Sequence, residues 1–240
     1  SRPAGGGFLS AIADRLQVRA RSRRATAPGA RIALLSDIHG NLAALDAVLA
    51  AFEVRDADEI LVLGDTVGYG PDPDACIERL AADPRVRAVL GNHDAAALDP
   101  AAEAGFSPHA RWAITWTRAH LAPESRSWLS ALPREIAGDG WLAPHGAPAD
   151  PGRINGYVYA MTADDNMAAL ELSGHRIGFH GHTHVAGAWV STAAGLARMV
   201  PPAAPLVIGA ADTVLACPGS VGQPRDRRPG AAFAIFHARE

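Results

Sequence analysis

Three short apolar runs in the first half of the chain each stop on side chains that a protein interior tolerates badly. "RIALLSDIHGN" runs from Arg31 to Asn41, "EILVLGD" from Glu59 to Asp65 and "VRAVLGNHD" from Val86 to Asp94. An isolated charge beside a core costs several kcal/mol unless something pairs with it. The position of Asp37 therefore demands a partner, either another side chain or a metal ion.

The segments between these runs are helical in pattern. "LAALDAVLAAFE" places apolar residues at 42, 45, 48, 49 and 52, and "PDACIERLAA" follows the second run. Strand alternating with helix is the α/β signature. All three runs read as strands, and in parallel α/β sheets ligands gather at the carboxyl ends of strands, so three polar ends argue for one site. Residues 106–135 read as two helices, with Trp112 and Trp116 packing against the body and His109 and His120 as surface or satisfied residues. Beyond them "GWLAPHGAP", "HRIGFHGHTHV", "AGAWVST", "TVLACPGSVG" and "AAFAIFHA" are strand-like and closely spaced, which predicts a second sheet with hairpins.

At 240 residues and 48% hydrophobic, the chain can bury a full core. Its net charge of -3 is uneven, because residues 1–31 hold seven arginines against one aspartate and the remainder fifteen against 24 acids. An acidic body disfavours nucleic acid as a partner. Cys76 and Cys217 stand far apart in no metal-type spacing, which fits a reduced, cytoplasmic chain. No apolar run reaches the roughly 18 residues needed to span a membrane. Residues 1–29, rich in arginine, lack a signal-peptide core and read as a loosely ordered tail; a short amphipathic helix over Phe8–Val18 is the alternative. Residues 30–240 read as a single domain. Nothing in the sequence sets an oligomeric state.

Metal-capable side chains fall at the ends of five apolar runs: Asp37 and His39, Asp65, Asn92 and His93, His145, and His182 and His184. Five of the ten histidines are among them. In an extended segment residues i and i+2 share a face, so Asp-x-His and His-x-His can each serve one cluster. The neighbouring Gly40, Gly64, Gly91, Gly146 and Gly181 allow tight turns and close backbone approach. Imidazole suits Zn, Fe or Ni, carboxylate suits Mn, and a mixed set can hold any of them. Taken singly, Asp37 would be a helix cap, each histidine an inert core residue and Asn92 a turn residue. His175, His180 and His237 match no such position, His180 being near enough to His182 to support it.

In this order the residues resemble the pattern D-x-H, G-D, G-N-H-[DE], H and G-H-x-H of the calcineurin-like metallophosphoesterase superfamily, over roughly Arg31 to the C-terminus. "GDTVGYGPDPDACIERL" and "PGSVGQPRD" further resemble its bacterial branch of small predicted phosphodiesterases, often described as diadenosine-tetraphosphatase-like. The resemblance implies a four-layer α-β-β-α sandwich of two mixed sheets, and a centre of two divalent ions, with Mn the expected metal. Asp37, His39 and His184 would hold one ion and Asn92, His145 and His182 the other, with Asp65 bridging. It implies hydrolysis of a small phosphoester or nucleotide by metal-activated hydroxide, with Asn92 steadying the phosphate and His93 protonating the leaving alkoxide or stabilising its charge.

Departures from the pattern narrow this. The superfamily's protein Ser/Thr phosphatases carry G-D-x-V-D-R-G, where Arg binds phosphate and the second Asp orients the histidine. Here Gly68 and Tyr69 stand in those places, which disfavours a protein phosphatase and leaves His93 without a known orienting group. The branch usually has Asn before "PGSVGQPRD", where this chain has Cys217, read as an inert buried thiol. Arg225 is the candidate phosphate contact. A phosphodiesterase is the primary reading and a phosphomonoesterase its alternative. A nuclease is disfavoured by the acidic body, and a non-catalytic partner-binding module by the complete ligand set with His93.

Overall fold

The structure, a computed structural model, describes residues 29–192, 195–200 and 205–238. The arginine-rich stretch and the helix considered over Phe8–Val18 lie outside the described residues, apart from Gly29, whose N–H donates to the Ala238 carbonyl.

Strand β1 (Arg31–Leu35) leads into helix α1 (Leu42–Arg55), β2 (Glu59–Val62), α2 (Pro73–Ala81) and β3 (Val86–Ala88). β1, β2 and β3 pair in parallel, with Leu34 opposite Leu61 and Leu61 opposite Arg87. Helices α3 (Asn92–Leu98), α4 (Pro108–His120) and α5 (Pro123–Ser130) follow, α3 and α4 being separated by a single 3-10 turn, Pro100–Glu103. β4 (Glu135–Ala137), β5 (Trp141–Pro144), α6 (Ala163–Leu172), β6 (Ile177–Phe179), β7 (Gly187–Thr192), β8 (Gly195–Val200), β9 (Thr213–Cys217) and β10 (Ala234–His237) complete the described elements.

Two mixed sheets result, one in the order β10-β1-β2-β3 and the other β4-β5-β6-β9-β7-β8. Strand alternation sorts the core into layers. Ile32, Leu34 and Leu61 face inward between the sheets and meet Trp141, Ala143 and Phe179 of the second sheet. Ala33, Leu35, Ile60 and Val62 face the other way, against Leu45, Leu49, Ile77, Leu80 and Ile114 of the helices. Leu142 and Leu215, on the outer face of the second sheet, pack on Met167 and Leu170 of α6. The architecture is therefore the expected α-β-β-α sandwich.

Three expectations about elements are corrected. "VRAVLGNHD" is not strand to its end: β3 stops at Ala88, and Asn92 and His93 open α3, whose N-terminal turn Asp94 caps by accepting from Gly91 N–H. "AAFAIFHA" joins the first sheet, antiparallel to β1, because its Phe233 and Ile235 fit the helix-facing core while Ala234 and Phe236 fit the inter-sheet core. Trp112 and Trp116 do not pack against the body; Trp112 is 68% exposed, since Ala113, Ile114 and Thr117 supply the buried face of α4. Helix α6 was not anticipated.

Leu61 is buried between the sheets and Leu172 is 90% exposed at the end of α6. Leu61→Ala is expected to lower stability by about 2–5 kcal/mol, as lost contact plus cavity. Leu172→Ala should change it by less than about 0.5 kcal/mol. Urea unfolding midpoints of the two variants check the layer assignment.

Candidate metal centre

The parallel strands deliver their polar ends to one place. Beyond Leu35 and Val62 the backbones continue to zip together: Leu63 N–H donates to Leu35 O, Asp37 N–H to Gly64 O and His39 N–H to Asp65 O. Asp37 and His39 are not extended, as the i, i+2 expectation supposed. Both have left-handed backbone, φ 54° and 50°, as do Asp65, His182 and His184. Non-glycine residues rarely hold this conformation, which costs on the order of 1–2 kcal/mol each, and its concentration here is strain stored at one site. It arises because the loops bond to each other instead of to a next strand.

In the second sheet β5 delivers His145 and β6 delivers His182 and His184. His182 N–H donates to both Asp37 carboxylate oxygens at 3.2 Å, tying the two sheets together. The backbone at Gly91 and Gly181 lies flat against the aspartates: a Cβ would stand 2.1 Å from Asp65 Oδ1 at the first and 3.0 Å from Asp37 Oδ2 at the second.

Two groups of ligand atoms form, Asp37, His39, Asp65 and His184 in one, Asp65, His145 and His182 in the other. All six residues are buried, and Asp65 belongs to both groups. Its Oδ2 lies 3.7 Å from His39 Nε2 and 3.4 Å from His145 Nε2, while Oδ1 accepts from His93 N–H at 2.8 Å. Asn92 Oδ1 adjoins the second group, 3.1 Å from His145 Nε2.

Backbone carbonyls set the imidazole tautomers. His39 Nδ1 donates to Val67 O at 3.0 Å, His145 Nδ1 to Leu63 O at 2.6 Å and His184 Nδ1 to Gln223 O at 2.6 Å. A carbonyl only accepts, so each of these rings, when neutral, turns a bare Nε2 lone pair inward. His39 Nε2 and His184 Nε2 then face each other at 3.3 Å with no hydrogen between them. Burial pushes His39 down to about 3, so it supplies no proton. Two lone pairs converging beside the Asp37 and Asp65 carboxylates fit a divalent cation by donor type and number.

The charges around the cluster agree. Burial pushes Asp37 up, but His184, its Nε2 3.2 Å from Oδ1, and His145 together outweigh burial and hold the carboxyl well below its usual range. Asp65 is likewise held low, chiefly by His145. His145 is pushed up to about 9, the Asp65 charge overcoming burial, whereas burial takes His182 down to about 4.

The sequence profile of the calcineurin-like phosphoesterase superfamily domain matches residues 31–240. The chain belongs to this superfamily. It is 33% identical over 213 residues to the uncharacterized protein MJ0912 of the archaeon Methanocaldococcus jannaschii, covering 87% of this chain and 83% of that one. Among solved structures it is similar to a metallophosphoesterase from Sphaerobacter thermophilus, with TM-score 0.71, 36% identity and coverage of 87% of this chain and 83% of that chain. The hypothetical protein PH1004 from Pyrococcus horikoshii shares the fold, with TM-score 0.66 at 19% identity over 88% of each chain. Family and buried cluster together make the protein a metal-dependent phosphoester hydrolase.

In this phosphoesterase His93 is buried at the edge of the cluster, its ring 4.9 Å from His39, 4.7 Å from Tyr69 and 4.6 Å from Phe106. Asp94 does not orient it; both Asp94 oxygens accept backbone N–H groups, from Val67 and Gly91. His93 Nδ1 is buried without a hydrogen-bond partner. A Cβ on Gly68 would stand 2.5 Å from it. The place of the phosphatases' orienting aspartate is thus empty of side chain, and ring packing holds His93 instead. Tyr69 is half-buried, its hydroxyl pushed up by burial and opposed by the Arg225 guanidinium.

Arg225 lies at the exposed mouth, its Nη2 donating to Gln223 Oε1 at 2.8 Å. Cys217 is the inert thiol expected, pushed up to about 12 by burial, though it accepts from Thr183 inside the His182–His184 loop. His180 is buried with Nδ1 on Gly181 O; His175 and His237 lie outside the cluster. Sequence reasoning points to the loop over 147–156 after β5 as one that sets substrate choice, but not to its geometry or to Tyr157 and Tyr159. Asp150 Oδ1 accepts from Gly152 N–H, and Oδ2 accepts from Ile154, Asn155 and Gly156, so one carboxylate folds the loop that carries Tyr157 onto His182. The turn-rich "ADPGRING" was its signal.

Burial pushes Asp150 up, but these four N–H donors outweigh it and hold the carboxyl below its ordinary value, near 4. Its bonds therefore contribute fully above that pH and the contribution is lost as pH falls through the folded value. Asp150→Ala is expected to cost about 1–2 kcal/mol at pH 7, and the gap to the unaltered protein should narrow below pH ~4, in urea unfolding across pH. Gly91→Ala should displace Asp65 and at least halve the bound metal per chain, measured by elemental analysis with folding checked by circular dichroism.

Proposed function

We propose that this chain is a dinuclear phosphodiesterase acting on small phosphoesters or nucleotides. The observation that carries the reading is the 3.3 Å approach of His39 Nε2 and His184 Nε2 between two buried carboxylates, a geometry that a cation relieves. Asp37, His39 and His184 would hold one ion, and Asn92, His145 and His182 the other, with Asp65 shared. Manganese suits the mixed carboxylate and imidazole donors, with iron, zinc and nickel as alternatives. When bound, the ions supply an activated water and neutralise phosphate charge.

The chain's own residues do the rest. Asn92 opens α3 beside the second group, where its amide can steady a phosphate oxygen. Burial lowers His93, which favours its neutral form. With Nδ1 shut against Gly68, the Nε2–H tautomer offers its donor to the leaving oxygen and stabilises the charge developing there. Arg225 serves the mouth, and Tyr69 occupies the place of the phosphatases' phosphate-binding arginine. Without a positive charge at that place, a singly charged diester is better suited than a doubly charged monoester. The two free, buried cysteines support a reducing, cytoplasmic setting, and residues 30–240 form the catalytic domain in this reading.

Purified protein stripped and reloaded with Mn²⁺ should hydrolyse bis-p-nitrophenyl phosphate faster than p-nitrophenyl phosphate. His93→Asn is expected to lower kcat by about 10²–10⁴-fold with metal content unchanged, and Asp65→Asn to lose metal and activity together. Preference for the monoester would move the reading to a phosphatase, and no turnover of either ester with metal bound would defeat it.

A further inference from the structure

Tyr157 and Tyr159 form a stack of parallel rings rising from the cluster. The Tyr157 ring lies 4.0 Å from the His182 ring, and Tyr159 stacks on Tyr157 at 5.2 Å with an interplanar angle of 7°. Between them Val158 is buried under α6, while its neighbours on either side turn out of the core. They are 37% and 51% exposed, large apolar surface left in water at the edge of a buried polar site.

The platform is held in place. Thr162 precedes α6, a position where a threonine ordinarily caps the helix through its hydroxyl. Here that hydroxyl makes no cap; it accepts from Tyr159 N–H at 3.0 Å and donates to Tyr157 O at 3.1 Å. The Asp150 knot fixes the same loop from its other end. A surface ordered before the ligand arrives loses little freedom on binding.

We infer that Tyr157 and Tyr159 are the stacking platform for a nucleobase, so that the phosphoester cleaved is that of a nucleoside. This rests on the phosphoesterase reading and names the group that its substrate carries. A planar base is sequence-tolerant in its affinity for an aromatic face, each stack contributing about 1–3 kcal/mol. The stack begins on a candidate metal ligand, His182, so a base added at the open face of Tyr159 can direct its phosphate back toward the cluster. Arg225 stands across the mouth, against Tyr69, where it meets that phosphate. A second aromatic file leads outward from Tyr69 through His109 to Trp112, but its rings are farther apart, 5.7 and 6.4 Å, and it ends on a tryptophan 68% exposed.

Adenosine 5′-monophosphate and ribose 5-phosphate, titrated by calorimetry into the full chain, separate the base from the phosphate. Adenosine monophosphate is expected to bind at least tenfold more tightly. Tyr159→Ala should shrink that ratio below threefold by weakening the nucleotide, while Tyr159→Phe, which keeps the ring, should preserve it. Equal affinity for the two ligands, a ratio that survives Tyr159→Ala, or a ratio lost instead in Trp112→Ala would overturn the platform. Mn²⁺-dependent cleavage of bis-p-nitrophenyl phosphate by the same unaltered protein reports separately on the phosphoesterase reading. Its absence removes that reading, whereas cleavage without nucleotide preference removes only the platform.

Discussion

Two carboxylates with almost no access to water, Asp37 and Asp65, set the terms for everything around them. Buried charge is tolerable only when paired and hydrogen-bonded. The chain answers with histidines whose outer nitrogens are pinned to Val67, Leu63 and Gln223 carbonyls, so the inner nitrogens have no choice of direction. The same pinning that orients the rings leaves lone pairs facing one another. Those converging lone pairs beside two carboxylates suit the cluster to a divalent cation.

The fold exists to bring these groups within reach. One sheet supplies both aspartates and His39, the other supplies His145, His182 and His184, and the inter-sheet core of Ile32, Leu34, Leu61, Trp141 and Phe179 fixes their relative position. At the site itself the sheets are joined by His182 N–H donating to Asp37 and by His145 Nδ1 donating to Leu63 O. Strained left-handed backbone at five cluster residues is sustained by loop-to-loop hydrogen bonds, an example of local strain held by its surroundings. Rigid placement matters because phosphoryl transfer depends chiefly on positioning and electrostatics.

Much of this was legible in the sequence. The apolar runs ending in Asp37, Asp65 and His93 announced strand ends, and the spacing of Gly-Asp, Gly-Asn-His-Asp and Gly-His-Thr-His announced a cluster. The misreadings have a common cause. Whether Val89–Asp94 continues a strand or starts a helix depends on Asp94 capping Gly91, a contact that propensity does not show. "AAFAIFHA" is apolar on both faces, and such a strand fits either sheet until the partners are known. Trp112 looked like core by residue type alone, yet small residues on the opposite face of α4 took the buried positions.

The sequence by itself determined the α/β class and which side chains could hold metal, because periodicity and residue chemistry are local properties, while the layered sandwich came from the family resemblance. Only the tertiary structure decided that Asp65 is shared, that His39 and His184 converge, that His93 is held by rings and not by a carboxylate, and that a tyrosine pair stands on His182. Each of these depends on residues brought together from separate strands, and distance in the chain carries no record of distance in space.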